Sequence, residues 1–147
     1  MPERGVVYND GFINLVDCKI KNTNEAGIIV SDSGTLYMAQ SEIENCKFGI
    51  ICRGYFSVVL TNFINLDIGI YSESEDDVSV TMSNFHMIRL YGVYNKNDQI
   101  AVSAQFNYWN SLQGPSIYNY ETGLWEGSGT RIWGKVDYTN WSMEASV

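Results

Sequence analysis

Gly49-Ile50-Ile51-Cys52 and Gly69-Ile70-Tyr71-Ser72 are two copies of a phrase that recurs from Gly5 to Tyr94. The other copies are Gly5-Val6-Val7-Tyr8, Gly27-Ile28-Ile29-Val30 and Gly92-Val93-Tyr94-Asn95. Successive glycines stand 22, 22, 20 and 23 residues apart, a solenoid period. Glycine followed by β-branched or aromatic residues reads as a turn feeding a strand, one per coil.

A second phrase keeps the same period. Its anchors are Ile20, Ile43, Phe63, Phe85 and Phe106, each preceded by a small residue two positions earlier: Cys18, Ser41, Thr61, Ser83 and Ala104. Two positions after the first three anchors stand Asn22, Asn45 and Asn65; Met87 and Tyr108 then break the column. Upstream, alternating pairs recur at Ile13/Leu15, Leu36/Met38, Phe56/Val58 and Val78/Val80, the period-two pattern of a strand with one face inward. Three short strands per coil are expected, with a bend near Val16, Ala39, Val59 and Thr81. Hairpin sandwiches do not stack like residues at so long a fixed period. The expected coils are 11–32, 33–53, 54–75 and 76–98, with a partial coil at 99–109 and a capping segment at 110–147 in the same domain.

These repeats resemble the right-handed parallel β-helix of the pectate-lyase-like superfamily, with its asparagine turn ladder. The tail adds to the likeness. Asn107-Tyr108-Trp109-Asn110-Ser111, Gly114-Pro115, Gly127-Ser128-Gly129, Gly134-Lys135-Val136-Asp137-Tyr138 and Trp141 are similar to the closing segment of bacterial and archaeal surface β-helix proteins. Asn110 departs from that pattern where glycine is usual, and Asn140 where proline is. Asparagine is a common substitute where a positive φ is required. The resemblance implies an all-β, single-stranded parallel β-helix of about 4–5 coils with an irregular C-terminal cap. It also implies a secreted or cell-surface location. It is poor in function, because this solenoid carries lyases, hydrolases, adhesins and inert stalks alike.

The chain of 147 residues carries a formal charge of −8, which argues against nucleic acid as a partner, since phosphates call for a basic patch. No apolar run approaches the roughly 18 residues of a membrane-spanning helix. Three cysteines, none in CxxC spacing, make neither a disulfide framework nor a zinc site. Cys18 and Cys52 fall in inward columns and read as small buried apolar residues. The phrase at Gly5 opens in mid-coil, so the chain reads as the C-terminal piece of a longer solenoid. The alternative is an open end covered by another subunit, with Val6, Tyr8, Ile13 and Leu15 on an uncapped edge that suits a homodimer.

One outward column, Val7, Ile29, Ile51, Tyr71 and Tyr94, is apolar beside inward neighbours that are also apolar. A strand apolar on both faces is covered on both. Either the tail folds back over it, or it is a binding stripe for a glycan or protein partner. All four tryptophans, Trp109, Trp125, Trp133 and Trp141, lie from residue 109 onward. They read as an end cap with each indole N–H satisfied at the rim, or as a sugar platform. The glycan-binding candidates are Tyr71, Tyr94, Trp125 and Trp133.

Catalytic signals are thin. His86 is the only histidine, which excludes a metal site built on paired histidines, and no nucleophile-elbow sequence supports a triad. Glu73, Glu75, Asp76 and Asp77 crowd one turn and form a weak calcium candidate without the glycine or spacing of a calcium loop. No other cofactor is indicated. Lyases of this fold use aspartates that bind calcium, with an arginine base. Here Arg53 and Arg89 read as turn residues with no recurring aspartate column beside them. Asp17 with Glu42 or Glu44 is a carboxylate pair only if geometry joins them. Three readings stand: a non-catalytic scaffold, adhesion or glycan-binding module; the C-terminal part of a polysaccharide-active enzyme; and an end-to-end oligomerisation module.

Overall fold

The computed structural model describes residues 5–145, with the backbone alone for residues 5–9. The strands of the repeat region are β1 (Gly5–Asn9), β2 (Phe12–Val16), β3 (Lys19–Lys21), β4 (Ala26–Val30), β5 (Thr35–Ala39) and β6 (Glu42–Cys52). They continue with β7 (Tyr55–Val59), β8 (Asn62–Ser72), β9 (Ser79–Thr81), β10 (Asn84–Asn95) and β11 (Val102–Ser103). The tail adds β12 (Ile117–Asn119), β13 (Leu124–Glu126), β14 (Ile132–Trp133) and β15 (Val136–Asp137). One sheet runs β1-β4-β6-β8-β10-β14, with β3 also on β6, and the other runs β15-β11-β9-β7-β5-β2. Both are parallel, and neighbours in each come from successive coils, so the molecule is a parallel β-solenoid of about four turns. None of the described residues forms a helix long and apolar enough to cross a membrane.

Like stacks on like because the register is fixed rung by rung. Ile43 pairs with Phe63 and Phe63 with Phe85, while Ile28, Ile50, Ile70 and Val93 form a second inward row. Leu36, Phe56, Met38, Val58 and Val80 fill the other sheet's inner face, all at most 1 % exposed. Phe63 and Phe85 stack with centroids 4.8 Å apart, about one rung spacing.

Each coil turns on residues in the left-handed region. Asp17, Gln40, Leu60, Met82 and Phe106 take φ of 55°, 50°, 52°, 49° and 62°, one residue beyond the first four expected bend positions. A second corner falls at Asn22, Asn45, Asn65 and Met87, with φ between 53° and 62°. Here the asparagine ladder exists as hydrogen bonds: Asn45 Nδ2 donates to Asn22 Oδ1 (2.7 Å), and Asn65 Nδ2 to Asn45 Oδ1 (3.1 Å). Met87 cannot extend it, and Arg89 Nη1 instead donates to Asn65 Oδ1 (2.7 Å). Arg89, expected in a turn, lies inside β10 beside the irregularity between Ile88 and Tyr91 and pairs with Asp67. Asn110 has φ 62°, as a glycine substitute should, and Asn140 has φ 56°. A proline, fixed near −65°, could not stand at Asn140 as it does in the resembling tails.

Several expectations are corrected. The middle coils have two strands rather than three, because β6, β8 and β10 run unbroken through the asparagine corner. The repeated glycines sit inside these strands and do not make turns. A Cβ on Gly69 would lie 2.5 Å from Gly92 O and 3.0 Å from the Phe85 ring, so glycine is required where the anchor side chains press on the next strand. In the first coil Val7 lies opposite Ile28 and Tyr8 opposite Ile29, which shifts that phrase by one residue. The side chains of Val6 and Tyr8, on which the uncapped-edge expectation partly rests, and of Val7, the first residue of the expected outward column, lie outside the described residues.

The fifth rung is the largest correction. Phe106 is 48 % exposed and occupies the first corner, while Trp109 takes the interior place against Phe85. The small column shifts with it. Ser41 Oγ accepts from Cys18 N, Ser83 Oγ accepts from Thr61 N, and Ser83 N donates to Asn107 Oδ1 (3.1, 3.1 and 2.9 Å), so Asn107 succeeds Ser83 where Ala104 was expected. These buried groups satisfy the backbone N–H groups that the corners release from the ladder. The tail also does more than cap: β14 and β15 add one short rung to each sheet.

Candidate functional site

The outward column of the larger sheet reads Ile29, Ile51, Tyr71, Tyr94 and then Trp133 from the tail, each paired with the next. In-register parallel pairing brings like rings face to face. Tyr71 and Tyr94 lie 5.2 Å apart with planes 9° from parallel, and Tyr94 and Trp133 6.3 Å apart at 15°. The antiparallel hairpin β12–β13 brings Trp125 to within 6.0 Å of Tyr91 and 6.4 Å of Trp133. The four glycan candidates therefore share one contiguous, half-buried aromatic surface. The tail meets the stripe at Tyr91 and Tyr94 and extends it with Trp133. Trp109 and Trp141 belong elsewhere. Trp109 is fully buried in the core with its Nε1 lacking any partner among the described residues, contrary to the expected satisfied N–H. Trp141 packs on Gly114 and donates Nε1–H to Leu112 O (3.1 Å).

Beside the end of this row opens a cleft of about 490 Å³ walled by Tyr94, Tyr120 and Trp133. Its polar rim is Lys96, Asn97, Asp98 and Lys135. Asn97 is committed to the fold: its Nδ2 donates to Ser74 O (3.1 Å), and its Oδ1 accepts from Gln99 N (2.8 Å). Lys96, Asp98 and Lys135 are exposed. Sequence reasoning missed Tyr91, Tyr118, Tyr120 and Arg131, whose guanidinium sits 4.4 Å over the Trp125 ring. The available signal was the Tyr118-Asn119-Tyr120 alternation, which places two rings on one face of a strand end.

Three carboxylates of the acidic turn, Glu73, Glu75 and Asp76, line one hollow of about 420 Å³ with Asp32 and Arg53. Glu73 lies between Arg53 (3.4 Å) and Lys96 (3.6 Å), and Glu75, Asp76 and Asp77 are exposed. Among the described residues no three His, Cys, Asp or Glu side chains form a group that could hold a metal ion. His86 lies 5.8 Å from the Tyr108 ring, tilted by 56°. Asp17 and Glu42 line a shared hollow of about 460 Å³ with Lys19 and Asn62, and Glu44 is not part of it.

Two local environments shift acidities. Hydrogen bonds from Ser31 and Ser33 hold the exposed Asp10 carboxyl below its ordinary value. Burial pushes the Cys52 thiol up to about 12, against a weaker opposing backbone hydrogen bond from Gly54.

Fold and surface together define a parallel β-solenoid with an aromatic outer face and a cleft at its C-terminal rung. No known protein family, curated protein or solved structure matches the chain.

Proposed function

We propose that this chain is a non-catalytic, pectate-lyase-like β-helix module of a secreted or cell-surface protein that binds a glycan at its C-terminal rung. The observation that carries the reading is the cleft in which Tyr94 and Trp133 meet Lys96, Asp98 and Lys135. Aromatic walls with a few polar groups are what sugar recognition requires, because a pyranose has an apolar C–H face and an edge of hydroxyls. The volume of about 490 Å³ lies within the range of small-ligand pockets. Screening the intact protein on a glycan array, beside a Tyr94→Ala/Trp133→Ala variant of unchanged fold, tests it. Retention of a glycan class that the double variant loses supports the reading; a blank array, or equal retention by both proteins, rejects it.

A second reading, end-to-end self-association, draws on one observation. Ile13 and Leu15 are half-buried, whereas Leu36 and Met38 on the next rung are 0 % and 1 % exposed. Among the described residues β2 ends its sheet, and a parallel edge strand over half-buried core is a template for pairing that a twofold contact between copies would cover. Sedimentation of the protein and of Leu15→Lys tests this: a dimer that dissociates in the variant supports it, and a monomer in both rejects it.

A further inference from the structure

Resting on the glycan-binding reading, we infer that Tyr120 supplies the ring face on which the sugar stacks, and that the cleft takes a pyranose with an unsubstituted C–H face. A sugar stacks only on a ring face that is free. The Tyr71–Tyr94–Trp133 row spends its inner faces on itself, with planes 9° and 15° from parallel. Trp125 has the Arg131 guanidinium 4.4 Å over its ring. The residues that gave the sequence its sugar-binding look are thus largely occupied by one another.

Tyr120 differs. It is 74 % exposed, and its ring neighbours meet it at steep angles: Tyr118 at 83° and Trp133 at 58°. It walls the 490 Å³ cleft and also borders a crevice of about 70 Å³ shared with Tyr138, so there is open space beside the ring. Its backbone is anchored although its side chain is exposed. Asn119 Oδ1 accepts from Glu121 N (2.9 Å) and Thr122 N (3.2 Å), and Gly123 N donates to Asn119 O (2.8 Å). A tyrosine is stiff, so ordering it on binding costs little entropy. Lys96, Lys135 and Asp98 line the same cleft. Lys96 pairs with Glu73 (3.6 Å), Lys135 donates to Gln99 O (3.4 Å) and Asp98 accepts from Gln99 Nε2 (3.1 Å), yet each exposed group keeps further donors or acceptors for sugar hydroxyls. A ring with a free C–H face against Tyr120 and its hydroxyl edge toward these three side chains satisfies both walls at once.

The test measures calorimetric affinity of the intact protein for hexasaccharides of β-1,4-glucan, β-1,4-xylan, β-1,4-galactan and β-1,4-linked N-acetylglucosamine. For any that binds, Tyr120→Ala is expected to weaken affinity about tenfold. Tyr120→Phe, which keeps the ring, and Phe12→Ala, an exposed residue of the other sheet, are expected to stay within about twofold of the wild type. Unchanged melting temperatures establish that the variants fold. If Trp133→Ala abolishes binding while Tyr120→Ala leaves it intact, the Tyr120 assignment is overturned and the glycan-binding reading survives. If no hexasaccharide binds and the array is also blank, the reading fails and the assignment falls with it.

Discussion

Phe85 and Trp109 lie ring against ring, with centroids 4.7 Å apart and planes 8° from parallel. Phe63 stacks on the other side of Phe85 at 4.8 Å and 6°, so three aromatic side chains from three successive coils form one buried column. Trp109 closes that column, and the Thr130 and Trp109 side chains lie next to Gly92 where the tail crosses the last full coil. The end of the core is therefore sealed by the residue that continues its periodic pattern.

Trp109→Ala should cost about 3–5 kcal/mol, the range for a buried aromatic whose cavity cannot collapse. Phe106→Ala should lie within about 0.5 kcal/mol of the wild type, because that side chain is exposed. Phe106→Asn should gain up to about 1 kcal/mol, since asparagine tolerates the φ of 62° better. Urea unfolding of the three variants reads the order directly. A large loss at Phe106 with none at Trp109 would restore the frame expected from the repeat.

That frame was legible for four coils and lost at the fifth for a physical reason. The core columns are written in residue type, so Ile43, Phe63 and Phe85 reveal their period. The first corner is written in backbone conformation and accepts Asp17, Gln40, Leu60, Met82 and Phe106 alike. With no residue signature there, the longer spacing between Met82 and Phe106 leaves no mark in the sequence, and Phe106 reads as an anchor. The glycines were visible, but their cause was not: a glycine crowded by a ring and a carbonyl reads the same as one in a turn. The aromatic site was half legible. Tyr71 and Tyr94 follow from the period, whereas Trp133 joins their column only after the chain has looped through Trp109 and the β12–β13 hairpin.

Gly69→Ala separates crowding from turn conformation. Gly69 has no positive φ, so a backbone argument predicts little effect, while a Cβ 2.5 Å from Gly92 O predicts a clash between two strands that cannot part without breaking their ladder. A loss of about 1–3 kcal/mol or more is expected. Gly11→Ala, with nothing within 4 Å of the new methyl, is the matched control and should be neutral or slightly stabilising. Equal melting temperatures for both variants would contradict the packing account.

The asparagine corner should show conformation and hydrogen bonding as separable contributions. Asn45→Ala loses both and should cost about 1–2 kcal/mol. Asn45→Gly keeps the left-handed backbone and should recover roughly half of that. Met87→Asn runs the other way. It places asparagine at φ 53°, where a 64 % exposed methionine now stands, and should gain about 1 kcal/mol. Thermal unfolding of the set gives the ranking, and a destabilised Met87→Asn would show that the Arg89 bond to Asn65 is worth more than an extended ladder.

Cys52 makes the stability fall in alkali. Burial raises its thiol from 9.0 to about 12, and the negative charge of Asp76 adds to the effect. Between these values the unfolded chain releases the thiol proton and the folded chain keeps it. The unfolded state then binds fewer protons, so stability drops as pH rises, by up to about 1.4 kcal/mol per pH unit, and is unaffected below pH 9. Because the whole chain responds to alkali, the readout is the difference between the wild type and Cys52→Val, which places the residue that Val30 supplies on the neighbouring rung. The difference should be flat to pH 9 and then grow in favour of the variant. Under native conditions at pH 8, alkylation should reach the half-buried Cys18 before the fully buried Cys52. A constant difference across pH 9–11 would mean that the folded thiol ionises as freely as the unfolded one, and that the Cys52 site is open to water.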